Sequence, residues 1–263
     1  MKIILVRPNY ESHIITPPLG IGYLSSSLKK NGIKVKIIDA LKENLNIEDL
    51  VKKIQILKPD AVGITCLTAF YEEVIILSNA LKGKNIKVII GGVHPTFLPY
   101  DTLKDSNADF VICGEGEIAF PRLIKNNFIN RNIQGVYSLK NINKKSLIKK
   151  AKSVINLDQL PFPDWQALDP NTYPKAPHGA VARNFPIGVI MTSRGCPYQC
   201  TFCASRKFYD LKIRFRSPRN VISEIKYLIK NFGVKEICFE DDNLTMKREH
   251  VEKICNLIIK NNL

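Results

Sequence analysis

Three cysteines stand close together late in the chain, in the run Ser193-Arg194-Gly195-Cys196-Pro197-Tyr198-Gln199-Cys200-Thr201-Phe202-Cys203-Ala204-Ser205. Cys196, Cys200 and Cys203 have the spacing CxxxCxxC, and thiolates this near in sequence can converge on one metal centre. The other four of the seven cysteines, Cys66, Cys113, Cys238 and Cys255, are scattered. An odd count with no secretion leader argues against a disulfide framework; it fits a metal site in a reducing compartment, expected to be the cytoplasm. Two metal chemistries compete. Structural zinc usually takes four ligands, often from two separated pairs; here no fourth Cys or His lies nearby, and Cys238 falls within an apolar strand pattern. Three thiolates on a four-iron, four-sulfur cluster leave one iron open, and an open position on a metal implies chemistry.

The elements that must position this loop are legible from hydrophobic period. Residues 187–192 read as a strand, 193–217 as the cysteine-bearing loop, 218–231 as a helix, 236–240 as a second strand and 247–260 as a last helix. Two βα units can neither close a barrel nor bury both faces of a parallel sheet. Residues 186–263 are therefore expected to be the start of a larger fold. Before them, residues 131–185 lose the regular rhythm. A strand over 134–139, with 153–155 as a candidate partner, is followed by the proline-rich Leu160-Pro161-Phe162-Pro163-Asp164-Trp165, and the whole stretch is expected to be a linker.

Residues 1–130 alternate strand and helix patterns. Strands are expected at 2–7, 34–39, 61–65, 86–90 and 108–112, with helices at 19–31, 47–57 and 72–82 and from about 117 to 126. Apolar strands with short connections predict a parallel sheet covered on both faces, doubly wound by right-handed crossovers. Ligands in such sheets bind beyond the carboxyl ends of the strands, which here are the loops 8–18, 65–71, 91–99 and 113–117.

The net charge is +15, which admits a nucleic-acid patch. The lysines are scattered, however, and their densest cluster (Lys140, Lys144, Lys145, Lys149, Lys150, Lys152) falls in the expected linker, so solvated helix faces are the favoured reading and no nucleic acid is expected. The basic residues between Lys207 and Arg219 follow the cysteine motif and are better placed for an anionic ligand. No apolar run reaches the ~18 residues of a membrane span.

The aromatic Phe202 before the last cysteine completes CxxxCxΦC, which resembles the signature of radical S-adenosylmethionine (SAM) enzymes. That resemblance implies that the methionine amine and carboxylate of SAM chelate the open iron. One electron, from a donor such as flavodoxin or ferredoxin, then yields a 5′-deoxyadenosyl radical. It also implies SAM-binding roles for Phe202 and for Glu240, Asp241 and Asp242 in the run Glu240-Asp241-Asp242-Asn243. An acidic group suits an ammonium partner; an acidic cluster at a helix N-terminus is the alternative, as simple packing is for Phe202. Arg214 and Arg216 also resemble this subgroup, either holding a carboxylate or standing in solvent.

Four further pieces are similar to the cobalamin-binding domain that precedes the barrel in one radical SAM subgroup: Pro17-Pro18-Leu19-Gly20-Ile21-Gly22-Tyr23-Leu24, Gly63-Ile64-Thr65-Cys66-Leu67-Thr68, Gly91-Gly92-Val93-His94-Pro95 and Cys113-Gly114-Glu115-Gly116-Glu117. The ordered set spans nearly the whole chain. The fold it implies is α/β: a doubly wound, flavodoxin-like cobalamin-binding domain, then the first two βα units of a radical SAM partial barrel. Cobalamin contacts are expected at Pro18, Gly20, Thr65, Leu67, Thr68, Gly91, Gly92, Gly114 and Gly116. Glycines at strand ends let backbone approach a corrin closely. Small residues on the first helix leave room for a nucleotide tail, although tight helix–sheet packing explains them as well. One departure stands out. The DxHxxG motif that supplies a cobalt-ligating histidine in many cobalamin domains is absent, and His13 and His94 are solitary. Cobalamin would be held without a protein imidazole on cobalt.

The resemblance implies SAM-dependent radical chemistry with cobalamin as methyl carrier, methylating an unactivated carbon of a small-molecule or lipid-like substrate; no catalytic residue is assigned. The ring-forming anaerobic Mg-protoporphyrin monomethyl ester cyclase type has similar motifs. A non-catalytic cobalamin-binding fragment is the alternative of another class. The expectation is also that the chain is C-terminally truncated relative to the family, inactive alone, or completed by a partner chain.

Overall fold

The structure is a computed structural model and describes residues 1–176 and 181–263; residues 177–180, inside the expected linker, lie outside the described residues. It forms two compact units, residues 1–12 with 23–153 and residues 13–22 with 154–263.

In the first unit, short aliphatic runs become strands and the longer amphipathic segments helices. The order is β1 (Lys2–Arg7), α1 (Leu19–Lys30), β2 (Lys34–Asp39), α2 (Ile47–Leu57), β3 (Ala61–Thr65), α3 (Tyr71–Leu81), β4 (Lys87–Gly91), α4 (Val93–Phe97), α5 (Pro99–Ser106), β5 (Phe110–Ile112), α6 (Gly116–Lys125) and β6 (Val136–Tyr137). The sheet runs β2-β1-β3-β4-β5-β6. Every pairing is parallel except β5 with β6. The first five strands thus take the 2-1-3-4-5 order of flavodoxin-like sheets, with the reversal beside β1. Ile4, Val6, Ile64, Ile90 and Val111 are buried in the core. At the carboxyl ends of β1 and β2 a buried bidentate pair closes the sheet, with Arg7 Nε 2.7 Å and Nη2 2.6 Å from the Asp39 carboxylate.

Two expectations shift here. The strand expected over 134–139 is only β6, and it pairs with β5, not with 153–155. Cys113 decides this: its N–H donates to Gly135 O and its carbonyl accepts from Ala151 N, both at 2.8 Å, so both flanking segments fold back onto the end of β5. The 91–99 loop contains helix α4 and leads into α5. Proline normally ends a helix, but Pro99 occupies the first turn of α5, where its missing N–H costs nothing.

The second unit contains β7 (Ile187–Ile190), β8 (Ser193–Arg194), α7 (Ser205–Phe208), β9 (Arg214–Phe215), α8 (Pro218–Phe232), β10 (Glu236–Phe239) and α9 (Arg248–Lys260). β7 and β10 pair in parallel, Ile187 opposite Glu236. β8 and β9 form an antiparallel pair at the base of the cysteine loop. Helix α8 begins with the Ser217 cap, whose side chain accepts from Asn220 N, and ends at Gly233 in the left-handed region. Val221, Ile225 and Leu228 on α8 are buried, as are Val189, Trp165 and Leu168 of the same unit. Among the described residues no helix is long and apolar enough to cross a membrane.

Candidate functional site

The cysteine loop hangs from the end of β7. Thr192 and Ser193 are 0% and 1% exposed, so their polar groups need partners inside the protein. Asp241, just past β10, supplies them. Its carboxylate accepts from Thr192 N at 3.1 Å, Thr192 Oγ1 at 2.9 Å and Ser193 Oγ at 2.5 Å. Asp242 accepts from Gly195 N at 2.9 Å. Arg216 holds the same stretch from the other side, donating from its backbone N to Thr192 O at 2.8 Å and from Nη1 to Met191 O at 2.9 Å.

Arg216 is itself anchored. Its Nη1 lies 2.5 Å from Glu224 Oε2 in a fully buried ion pair, off the alignment of a linear hydrogen bond. Glu224 Oε1 accepts from Trp165 Nε1 at 2.8 Å. Burial pushes the Glu224 carboxyl upward while Arg216 and Trp165 pull it back down. Of the two readings open for Arg216, the structure has it holding a carboxylate, one supplied by this chain. Arg214 donates to Val154 O at 2.6 Å.

Beyond this neck the loop opens out. Cys196 and Cys203 are half-buried and Cys200 exposed, all three as free thiols. Phe202 is 91% exposed. Among the described residues no three His, Cys, Asp or Glu side chains are gathered so as to hold a metal ion, so the three thiols share one loop without converging. The donor set itself, soft thiolates clear of any disulfide, suits iron–sulfur ligation. Glu240 is half-buried at the end of β10, its N–H donating to Ile190 O at 2.8 Å.

The second group of expected residues lies at the carboxyl ends of β3, β4 and β5, adjacent strands in the first unit. Thr65 pairs with Gly91, and Gly91 with Ile112. Thr65, Gly91, Gly92, Gly114 and Gly116 are half-buried, and Leu67 and Thr68 are exposed. The glycines serve different ends. A Cβ at Gly91 would meet nothing nearer than Ile112 O at 3.9 Å, which leaves its face open for close approach. Gly92, at φ +109°, has a Cβ position 2.7 Å from Cys66 O, so the protein's own backbone demands glycine there. Gly114, at φ +84°, lies against Lys150, and Gly116 against Leu24. Pro18 and Gly20 belong to the other compact unit, where Gly20 has open space around it.

Residues not singled out for this rim build its frame. Cys66 N donates to Gly91 O at 2.8 Å, and Cys66 O accepts from His94 N at 3.2 Å. His94 is 5% exposed, stacks on Tyr71 at 3.9 Å and bonds Thr68 Oγ1 through Nδ1 at 3.0 Å. Thr96 Oγ1 donates to Gly92 O and accepts from Gly114 N, tying the ends of β4 and β5 together. Burial pushes the Cys66 and Cys113 thiols up to about 12, so both stay protonated and unreactive. A signal for the frame was present: His94 and Thr96 lie within four residues after the Gly91-Gly92 pair, where a strand end needs polar side chains to cap it. Thr192 and Ser193 likewise follow an apolar strand.

Residues 10–124 match the B12 binding domain family, and residues 190–262 match the Radical SAM superfamily. The chain belongs to the cobalamin-binding radical SAM family. An uncharacterized methyltransferase of Pyrococcus horikoshii is 36% identical over 95% of this chain and 55% of its own length. The anaerobic magnesium-protoporphyrin IX monomethyl ester cyclase of Rubrivivax gelatinosus is 30% identical over 100% of this chain and 49% of its own. The radical S-adenosylmethionine methyltransferase TsrM of Kitasatospora setae, solved with cobalamin and a [4Fe-4S] cluster bound, superposes with a TM-score of 0.74 at 17% identity, covering 99% of this chain and 51% of that one. This last likeness establishes the fold. The chain spans about half the length of the curated relatives it matches. Within the family, the thiol loop and the glycine rim fall in the two matched segments, one in each.

Proposed function

We propose that this chain carries the cofactor-binding part of a cobalamin-dependent radical SAM methyltransferase that adds a methyl group to an unactivated carbon of a small molecule. The observation that carries this reading is the three-thiol loop, held at its neck from β10 and β9, in one chain with a doubly wound sheet whose rim leaves Gly91 open. Cys196, Cys200 and Cys203 would hold a four-iron cluster, their loop closing to bring the sulfurs together. When bound, the cluster with SAM supplies a carbon-centred radical that abstracts hydrogen, and cobalamin supplies the methyl group.

The chain's own residues position these groups and keep water out. Phe202 offers an exposed aromatic face, and Glu240 stands at the strand end nearest the loop neck; both would line the SAM site. Thr65, Leu67, Thr68, Gly91, Gly92, Gly114 and Gly116 would border cobalamin in the first unit. A flavodoxin- or ferredoxin-type donor would supply the electron. Seven free thiols fit a reducing compartment.

The test is anaerobic reconstitution of the purified chain. Loading of about four irons and four sulfides per chain is expected. It should be abolished in the Cys196→Ala/Cys200→Ala/Cys203→Ala triple variant, and hydroxocobalamin should bind the wild type. Tight zinc with no iron retained would overturn the cluster; cobalamin binding without a cluster would leave a cobalamin-binding fragment. In the full-length enzyme, label from methyl-labelled SAM should enter the product. A product formed with no added carbon would instead mark a ring-forming cyclase.

A further inference from the structure

Asp241 and Asp242 stand where a ligand for the SAM ammonium is expected, yet both carboxylates are engaged by the chain itself. Four donors reach them: Thr192 N, Thr192 Oγ1 and Ser193 Oγ on Asp241, and Gly195 N on Asp242. All four come from the short segment that leads into Cys196. Thr192 and Ser193 are almost completely buried, so without these acceptors their polar groups would be orphaned. Gly195, at φ +91°, takes a backbone conformation that glycine adopts freely and other residues rarely do, and a Cβ there would sit 2.1 Å from Lys212 O. Its N–H is directed by this close-packed turn, and Asp242 is the acceptor it meets.

We infer that Asp241 and Asp242 are positioning residues that latch the neck of the cysteine loop to the end of β10, and that they act as hydrogen-bond acceptors, not as charge partners of SAM. The inference rests on the proposed function only for its meaning; the latch itself is a property of the chain. Through it, the point where Cys196 leaves the fold is fixed relative to the strand end that follows β10. A hydrogen bond to a charged acceptor is stronger than a neutral one, which suits the anchor of a ligand-bearing loop.

Acceptor and charge roles are separated by two substitutions at one position. Asp242→Asn keeps an acceptor oxygen for Gly195 N–H but removes the charge; Asp242→Ala removes both. In the full chain without cofactors, amide exchange at Gly195 should stay near wild type in Asp242→Asn. It should accelerate about ten- to a hundredfold in Asp242→Ala, the range set by losing a hydrogen bond to a charged group. After reconstitution, the change in the cluster's electron paramagnetic resonance spectrum on adding SAM should survive in Asp242→Asn and be lost or broadened in Asp242→Ala. Unchanged Gly195 exchange in Asp242→Ala would overturn the latch. So would loss of the SAM-induced change in Asp242→Asn with Gly195 protection intact, because that marks a charge role. Should Asp242→Ala fail to fold, Ser193→Ala removes one donor to Asp241 and leaves both carboxylates. It should speed exchange across 192–195, and unchanged exchange there would overturn the latch equally. If the wild type loads no cluster, the proposed function fails, while the exchange measurements still decide the latch.

Discussion

His94 illustrates how a single buried side chain sets a pH response. Its ring is packed on Tyr71 and bonded to Thr68 through Nδ1, while Nε2 is buried with no partner among the described residues. Burial holds the imidazole below its ordinary pKa, against the opposing pull of Asp101 and Asp105. The unfolded chain therefore takes up the proton first. The stability this group contributes is present above an unfolded pKa of about 6.5 and is lost as pH falls through the lower folded value. His94→Phe keeps a ring against Tyr71 and removes the titration. The denaturant midpoint of the wild type should fall between pH 7 and pH 5, and the fall should be shallower in His94→Phe; parallel profiles would show that His94 is not the group responsible. His250 has the same character in the second unit, with a buried Nε2 that has no partner among the described residues and a pKa lowered by burial. At this scale the spacing of Cys196, Cys200 and Cys203 is readable from the sequence, and the ligand role expected of them awaits the reconstitution test. The hydrogen bonds of His94, Asp241 and Asp242 were not readable, since they depend on which polar groups the fold buries opposite them.

Among the elements, the β8–β9 pair is the one that makes a loop into a site. Its geometry depends on Gly195, which turns at positive φ under the Lys212 carbonyl. Any side chain there must displace backbone. Gly195→Ala should cost at least about 2 kcal/mol, from strain plus lost pairing. Gly20→Ala is the matched control: it sits in a helix with nothing within 4 Å of its Cβ position, and should be neutral or stabilising. Equal denaturant midpoints for the two variants would mean that the hairpin base is softer than its geometry. The same contrast explains what the element pattern could convey. Strands β1 and β3 fall where their aliphatic runs end, because an interior parallel strand is buried on both faces and leaves little freedom in its boundaries. Helices α4 and α5 were hidden by Pro95 and Pro99, which read as breakers without the knowledge that Pro99 opens a helix. The partner of β6 was hidden for another reason: a two-residue strand has no period, and its place is set by backbone bonds from Cys113.

For the whole molecule, the doubly wound order was readable from alternating patterns, whereas the limits of the unit built on it were not. Residues 1–130 contain five strands, but the unit they belong to runs to residue 153. The added stretch completes the edge of the sheet. β6 covers β5, Gly135 O accepts from Cys113 N, Ala151 N donates to Cys113 O, and Gly135 itself turns at φ +85° with its Cβ position 2.2 Å from Ala151 N. A chain cut at 130 would leave both backbone groups of buried Cys113 without partners and β5 as an open edge. Each buried group left so costs on the order of 1–3 kcal/mol, and exposed strand edges invite association. A fragment of residues 1–153 should therefore unfold at a higher urea concentration than one of residues 1–130, and should remain monomeric at concentrations where the shorter one associates. Sedimentation alongside urea titration reads both. Equal midpoints and equal monodispersity would show that the five parallel strands alone make a self-sufficient unit, and that the 131–153 segment only decorates its edge.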